Sequence, residues 1–322
     1  MLIDEKAAAK MLAEQDNILI FCHKKPDGDT VGSAFALLHA LELLGKTVRI
    51  ECADPLLTGK LADILGPYEP KEFKPELLVA VDVADEYLLF GVHRPYGGKI
   101  HLSIDHHKSN KYYAAATVLD AGAAATAEII CRVVKELGVT ACKAVADAIY
   151  TGISTDTACF RHANTTSYTL EAAAEMMRWG ADSYRINKLM YATKSRARLA
   201  AETFLMETLE FGLDGRYVQM FLPLNIYETY GVAEDDLDGV SALPRTIEGV
   251  IAGVTVRERD DGSFRVSMRT EDPIDASGVC GAFGGGGHKH AAGCVMAGGP
   301  SLIKERLMNE IIRQLKDGHN SD

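Results

Sequence analysis

Apolar and polar positions fall into two textures along the chain. In the first half, short apolar runs at residues 17–22, 48–52, 77–81 and 100–104 read as buried strands. Between them lie stretches with helical spacing. Residues 4–14 read as an opening helix, 34–44 as a helix stopped by Gly45, and 57–65 as a helical or turn-rich segment. Strands alternating with helices predict an α/β fold with a doubly wound, mostly parallel sheet. Helical patterns dominate from Thr126 to about Thr208, broken near Gly138, 156–166 and Gly180. Beyond Phe211 the period changes to two. Residues 216–222, 249–257 and 264–269 alternate as antiparallel strands do, and Asp260-Asp261-Gly262 supplies a hairpin turn between the last two. These patterns predict a larger first domain over 1–185 and a helical connector over 186–210, centred on a helix near 195–209. A smaller second α/β domain follows over 211–322, closed by an amphipathic helix at 301–315.

The ends of the apolar runs carry the candidate chemistry. His23, Asp27 and Asp29 leave the first strand; Asp82 follows the third; Asp105, His106 and His107 follow the fourth; Asp156 lies in Gly-Ile-Ser-Thr-Asp-Thr. In open α/β sheets ligands collect beyond the carboxyl ends of the strands. Each residue also has a structural reading: Asp29 as the cap of a helix starting near Thr30, Asp82 as the cap of a turn before Glu86, Asp105 as a strand end. The recurrence of an apolar strand followed by acidic or imidazole residues favours convergence. Carboxylates at 27, 29, 82 and 156 with imidazoles at 23 and 106 form a mixed oxygen and nitrogen donor set without thiolate. That set suits Mn2+, with Mg2+ or Co2+ as substitutes, and two such cations can hold both oxygens of a phosphoryl displacement.

Composition narrows the partners. A net charge of −11 over 322 residues argues against bulk, non-specific adhesion to nucleic acid, although short nucleotides remain open. Seven scattered cysteines without a Cys-x-x-Cys pair favour buried thiols over a disulfide framework or structural zinc. No signal-like start or run of membrane-spanning length is evident, so a cytoplasmic protein without membrane attachment is expected. The run Gly284-Gly-Gly-Gly287 is followed by His288-Lys289 and lacks the Gly-Lys-Ser/Thr ending of a P-loop. Without side chains, its backbone N–H groups can approach an anion closely; a flexible turn is the alternative.

His23-Lys-Lys-Pro-Asp27-Gly-Asp29 with Gly32-Ser33, then Asp82, then Asp105-His106-His107, then Asp156-Thr157 resemble the four ordered motifs of the DHH phosphoesterase superfamily. Gly284-Gly-Gly-Gly-His288-Lys-His-Ala-Ala-Gly293 resembles the signature of its DHH-associated C-terminal domain, so the resemblance spans nearly the whole chain. It implies a site in the cleft between two domains, with one metal held by His23, Asp27 and Asp82. A second would be held by Asp29, Asp82, His106 and Asp156, with Asp82 bridging. It also implies that Asp105 orients a neighbouring imidazole and that His107 faces the scissile phosphate. Ser267, Arg269, Gly285, Gly286, Gly287 and His288 become the substrate contacts.

Length and C-terminal signature point to the compact nanoRNase and 3′-phosphoadenosine-5′-phosphate phosphatase type. Such an enzyme releases mononucleotides from short RNA and AMP from the bisphosphate. A cyclic or linear dinucleotide phosphodiesterase is the enzymatic alternative, and a nucleotide-binding regulatory protein the non-enzymatic one. No stable protein partner is implied, and oligomeric state is not legible. Two departures stand out: Ala123-Ala-Ala-Thr126 replaces a cluster of small hydroxyls, and Ala158 stands where a glycine commonly follows Asp-Thr.

Overall fold

The computed structural model describes residues 1–233, 237 and 239–319; the last three residues of the expected second domain lie outside the described residues. The chain divides into two compact units, Met1–Thr193 and Lys194–Asp322.

In the first unit, β1 (Ile18–Phe21), β2 (Val48–Glu51), β3 (Leu77–Val81), β4 (Leu102–Asp105) and β5 (Ala116–Leu119) form one sheet in the order β2-β1-β3-β4-β5. Every pairing in it is parallel. Alternate strand residues point to opposite faces, and both faces are covered, which is why β1 and β3 read as unbroken apolar runs. Ile18, Ile20, Val79, Val81 and Ile104 join the larger core with α1 (Glu5–Glu14), α2 (Gly28–Leu43), α3 (Gly59–Leu65), α4 (Thr126–Glu136), α5 (Lys143–Asp156) and α6 (Ser167–Arg178). Leu19, Phe21, Leu78 and Ala80 face the other way, where Leu89 and Ile100 cover them. That second face is closed by 3-10 turns at Glu86–Leu89 and Arg94–Tyr96.

Helix α2 begins six residues before the onset read from apolar spacing. The Asp27 side chain caps it by accepting from the N–H groups of Asp29 and Thr30, so the polar motif itself forms the first turn. The helix then crosses α5 at backbone contact. A Cβ on Gly32 would lie 2.5 Å from the Ala148 carbonyl oxygen, and one on Gly152 would lie 2.8 Å from Asp29 Oδ1. Only glycine allows this approach, which draws the start of α2 against α5. The unit ends in α7 (Ser183–Asn187) and a π-helical turn, Lys188–Ala192.

The second unit opens with α8 (Arg196–Glu207) and contains α9 (Ile226–Tyr230), α10 (Ala276–Gly281) and α11 (Pro300–His319). Its six-stranded sheet comprises β6 (Glu210–Gly212), β7 (Tyr217–Leu222), β8 (Ala252–Glu258), β9 (Phe264–Thr270), β10 (Gly286–His288) and β11 (Ala291–Met296). The order is β10-β11-β9-β8-β7-β6. Here the expectation of antiparallel alternation needs correction: β7 and β8 pair in parallel, joined by a crossover through α9 and a 3-10 segment, while β8 and β9 form the expected hairpin. Period-two alternation records which face a residue takes, not the direction of its neighbour. Val254, Val256, Val266, Met268 and Cys294 pack with Ile303, Leu307 and Ile311 of α11.

Candidate metal centre

Asp82 ends β3 with its backbone in the left-handed region (φ 60°), an uncommon conformation for a residue other than glycine. Its N–H donates to the Ile104 carbonyl, 2.9 Å, which holds the turn against β4. The carboxylate is 3% exposed and sits among imidazoles. His23 Nε2 is 3.6 Å from Asp82 Oδ2 and 3.7 Å from Asp27 Oδ1; His106 Nε2 is 3.7 Å from Asp82 Oδ1 and 3.6 Å from Asp156 Oδ2. Three overlapping groups result: His23, Asp27 and Asp82; Asp29, His106 and Asp156; and Asp82, His106 and His107. Within each, the donor atoms lie inside 4.8 Å of one another. The structure thus gathers all six residues read as metal ligands, with His107, at the carboxyl end of the parallel sheet.

Neighbouring groups aim these donors. His23 Nδ1 donates to the Lys24 carbonyl, 2.9 Å, and His106 Nδ1 to the Ala123 carbonyl, 3.2 Å, so both rings present Nε2 inward. Asp105 Oδ1 accepts from His107 Nδ1 at 2.7 Å and from the N–H groups of His106 and His107, while Asn110 donates to Oδ2 at 2.6 Å. The imidazole that Asp105 orients is therefore that of His107, whose ring remains part-exposed. Asn110 has no signal in the motif itself, because its role depends on the loop folding back.

Asp29 does two jobs. No side chain of its own helix caps α4; instead Asp29 Oδ2 accepts from Thr126 N–H (2.7 Å) and Oδ1 from Ala127 N–H (2.9 Å). Asp29 therefore does not cap the helix starting near Thr30, which Asp27 caps; it serves the start of α4, ninety-seven residues on in sequence. Thr126, the one hydroxyl left in the Ala123-Ala-Ala-Thr126 segment, donates to Asp82 Oδ1 at 2.8 Å. After Asp156, residues Ala158, Cys159 and Phe160 all take positive φ (47°, 60°, 62°), and Thr157 Oγ1 accepts from Phe160 N–H.

Electrostatics mark the cluster as short of positive charge. Burial, then the neighbouring carboxylates, hold Asp29 and Asp82 above the usual carboxylate range and push Asp156 up to about 6. Burial opposes a charge on His23, yet the Asp27 and Asp82 carboxylates outweigh it and raise the ring to about 11. The Asp105 hydrogen bond raises His107 to about 9. Among the described residues, no lysine or arginine lies within 4 Å of Asp27, Asp29, Asp82 or Asp156. Four convergent carboxylates with only imidazoles for company fit divalent cations, which would relieve the repulsion.

The residues read as substrate contacts meet elsewhere, within the second unit. Ser267 registers with Gly293, and Gly293 with Gly286; Arg269 registers with Ala291, and Ala291 with His288. Registered residues share a face, so Ser267, Arg269, Gly286 and His288 line one side of β9, β11 and β10, opposite the buried Val266 and Met268. Gly285 lies just outside β10, and Gly287 points to the other face, where a Cβ would meet the Ala291 carbonyl at 2.5 Å.

Residues 17–153 match the DHH family, N-terminal domain, and residues 217–317 match the DHHA1 domain. The bifunctional oligoribonuclease and PAP phosphatase NrnA of Thermus thermophilus is 34% identical over 294 residues, covering 90% of this chain and 87% of that protein. An exopolyphosphatase-related protein from Bacteroides fragilis superimposes with a TM-score of 0.85 at 20% identity, covering 96% of each chain. RecJ in complex with Mn2+ from Thermus thermophilus gives 0.56 at 15% identity, over 97% of this chain and 54% of that one. Among the described residues, no helix is long and apolar enough to cross a membrane. Four ordered motifs converging beyond the carboxyl ends of one sheet, a matching second domain and a relative at 34% identity together place the chain in the DHH phosphoesterase superfamily, among its nanoRNase-type members.

Proposed function

We propose that the chain is a divalent-metal-dependent phosphoesterase, served best by Mn2+, that degrades short oligoribonucleotides to mononucleotides and converts 3′-phosphoadenosine-5′-phosphate to AMP. The observation that carries this reading is the convergence of Asp27, Asp29, Asp82 and Asp156 with His23 and His106, with no lysine or arginine among the described residues within 4 Å of those carboxylates. The oligoribonuclease and phosphatase activities named for the relative of Thermus thermophilus, and the Mn2+ named for its RecJ, support the substrate and the metal.

His23, Asp27 and Asp82 would hold one cation and Asp29, Asp82, His106 and Asp156 a second, with Asp82 common to both. When bound, such cations neutralise charge on the reacting phosphate and activate water for in-line attack. The protein's own groups set the geometry: Thr126 fixes the Asp82 rotamer, and the Lys24 and Ala123 carbonyls fix the two imidazoles. His107, raised to about 9, holds its proton at neutral pH. With Nδ1 given to Asp105, its Nε2 proton is the one to pass to the departing oxygen. In the second unit, the Arg269 guanidinium, Ser267 and the bare backbone at Gly286 would bind a terminal phosphate of a short substrate, with His288 beside them.

A metal-depleted preparation tests this reading. Mn2+ should restore release of mononucleotides from an RNA dinucleotide and trinucleotide, and of AMP from 3′-phosphoadenosine-5′-phosphate. Turnover indifferent to chelation, or cleavage of cyclic-di-AMP alone in the same panel, would overturn it.

A further inference from the structure

The loop after Asp82 carries two aromatic side chains that the metal centre does not use. Tyr87 and Phe90 lie on the 3-10 turn Glu86–Leu89 and its cap, and are 71% and 64% exposed. Tyr87 stands within the turn and Phe90 at its left-handed cap, and their rings meet in solvent while Leu89 turns into the core. Their centroids are 6.5 Å apart at an interplanar angle of 71°. Phe90 occupies the left-handed cap position at φ 51°, where glycine or asparagine would be cheaper, and Gly91 follows immediately. A large apolar ring kept in a strained, solvent-facing position is not explained by packing.

Lys24 completes the arrangement. Its Nζ lies 5.0 Å from both ring centroids, and among the described residues it has no carboxylate within 4 Å. Its N–H donates to the Leu88 carbonyl at 2.8 Å, which ties the aromatic turn to the residue next to His23. The adjoining segment continues the pattern: Lys111 N–H donates to the Ala84 carbonyl, and Lys111 and the part-exposed Tyr112 stand beside the same loop. In a chain of net charge −11, these cations are set among exposed rings on the loop that follows Asp82.

We propose that Tyr87 and Phe90 form a stacking platform for a nucleobase next to the reacting phosphate, with Lys24 holding the phosphate or ribose edge of that nucleotide. Rings accept any base on their faces, which suits a substrate chosen by length and not by sequence. The ammonium, set against the ring faces, is already placed where the sugar–phosphate of a stacked nucleotide must run. The proposal rests on the phosphoesterase reading for which phosphate is cleaved, and supplies what that reading lacks: a recognition element for the base within the first unit.

The test compares an RNA dinucleotide with its counterpart lacking one base, with Mn2+ present. The intact dinucleotide should be favoured in kcat/KM by the wild-type chain. In Tyr87→Ala/Phe90→Ala that preference should fall by roughly 10-fold, mainly through KM, and Phe90→Tyr should retain it. Equal losses on both substrates, or an unchanged preference, overturn the platform. A readout independent of turnover uses Phe90→Trp, whose added fluorescence over Trp179 should be quenched by the dinucleotide and not by ribose 5-phosphate. Absence of quenching also overturns it. If the wild-type chain cleaves neither substrate, the phosphoesterase reading fails, while quenching still decides whether bases stack at Phe90.

Discussion

The candidate metal centre of the first unit and the glycine edge of the second are built on opposite plans. In the first, the candidate donors are side chains held by a second group, whether buried or part-exposed: Asp82 by Thr126, His107 by Asp105, Asp29 by the start of α4. In the second, the proposed substrate edge β10 is a three-residue exposed edge strand whose backbone is left bare by glycine. The contrast suggests a division of labour. Cations demand fixed donors, whereas a variable substrate terminus is better met by main chain that many groups can approach.

The strongest way to break the comparison is Asp82→Asn. The amide still accepts from Thr126 and tolerates positive φ, so the fold should survive while Mn2+ affinity collapses and turnover drops about 10³-fold or more. Metal binding by isothermal titration and a thermal melt separate the two. A variant that binds Mn2+ like the wild type would show that Asp82 is not shared between ions.

A pH series on thermal stability comes next in size. Asp156 has its folded value raised from the ordinary 3.8 to about 6, with Asp29 and Asp82 shifted the same way. A raised value means the contribution is present below pH 4 and is lost as pH climbs to 6, leaving the metal-free protein weakened above that. At a fixed Mn2+ concentration the added stability should therefore grow steeply between about pH 4 and 6 and more slowly above that, as His23, raised to about 11, must still give up its proton to a cation; it passes about 2–3 kcal/mol where Mn2+ stands at a hundredfold excess over Kd. An increment independent of pH would contradict the clustered carboxylates.

Two glycines sharpen the other side. A Cβ at Gly285 would fall 2.2 Å from the Gly293 carbonyl oxygen and 2.5 Å from Cys294 Cβ, so Gly285→Ala should cost roughly 1–3 kcal/mol in denaturant titration. At Gly286 a Cβ meets nothing within 4 Å. Gly286→Ala should keep its stability and raise KM several-fold if an anion must reach that backbone; an unchanged KM would remove the edge from substrate binding. The smallest effect belongs to Ala158→Gly. Relief of one left-handed alanine in the 158–160 turn should add about 1 kcal/mol by melting, without altering metal binding.

The parallel sheet was legible because β1 and β3, covered on both faces, are unbroken apolar runs, and the positions just past β1, β3 and β4 carry the acidic and imidazole residues. The first strands of the second unit were legible from alternation, yet the direction of β7 against β8 was not. Strands β5, β10 and β11 escaped notice because Ala-Thr-Val-Leu, Gly-Gly-His and an alanine-rich segment gain their strand character from neighbours alone. At the centre, candidate donors could be named from spacing, while their supports could not. Asn110 and the N–H groups opening α4 act across folded loops, where spacing along the chain says nothing.

The glycine contact between α2 and α5 reaches further than packing. Asp29 stands at the start of one helix and Asp156 at the end of the other, so the distance between two charges is gauged by side chains that were left out, at Gly32 and Gly152. A single added methyl at Gly32, which would press on the Ala148 and Gly152 backbone and on no donor atom, would spread the jaws of the site and retune which ion it can grip.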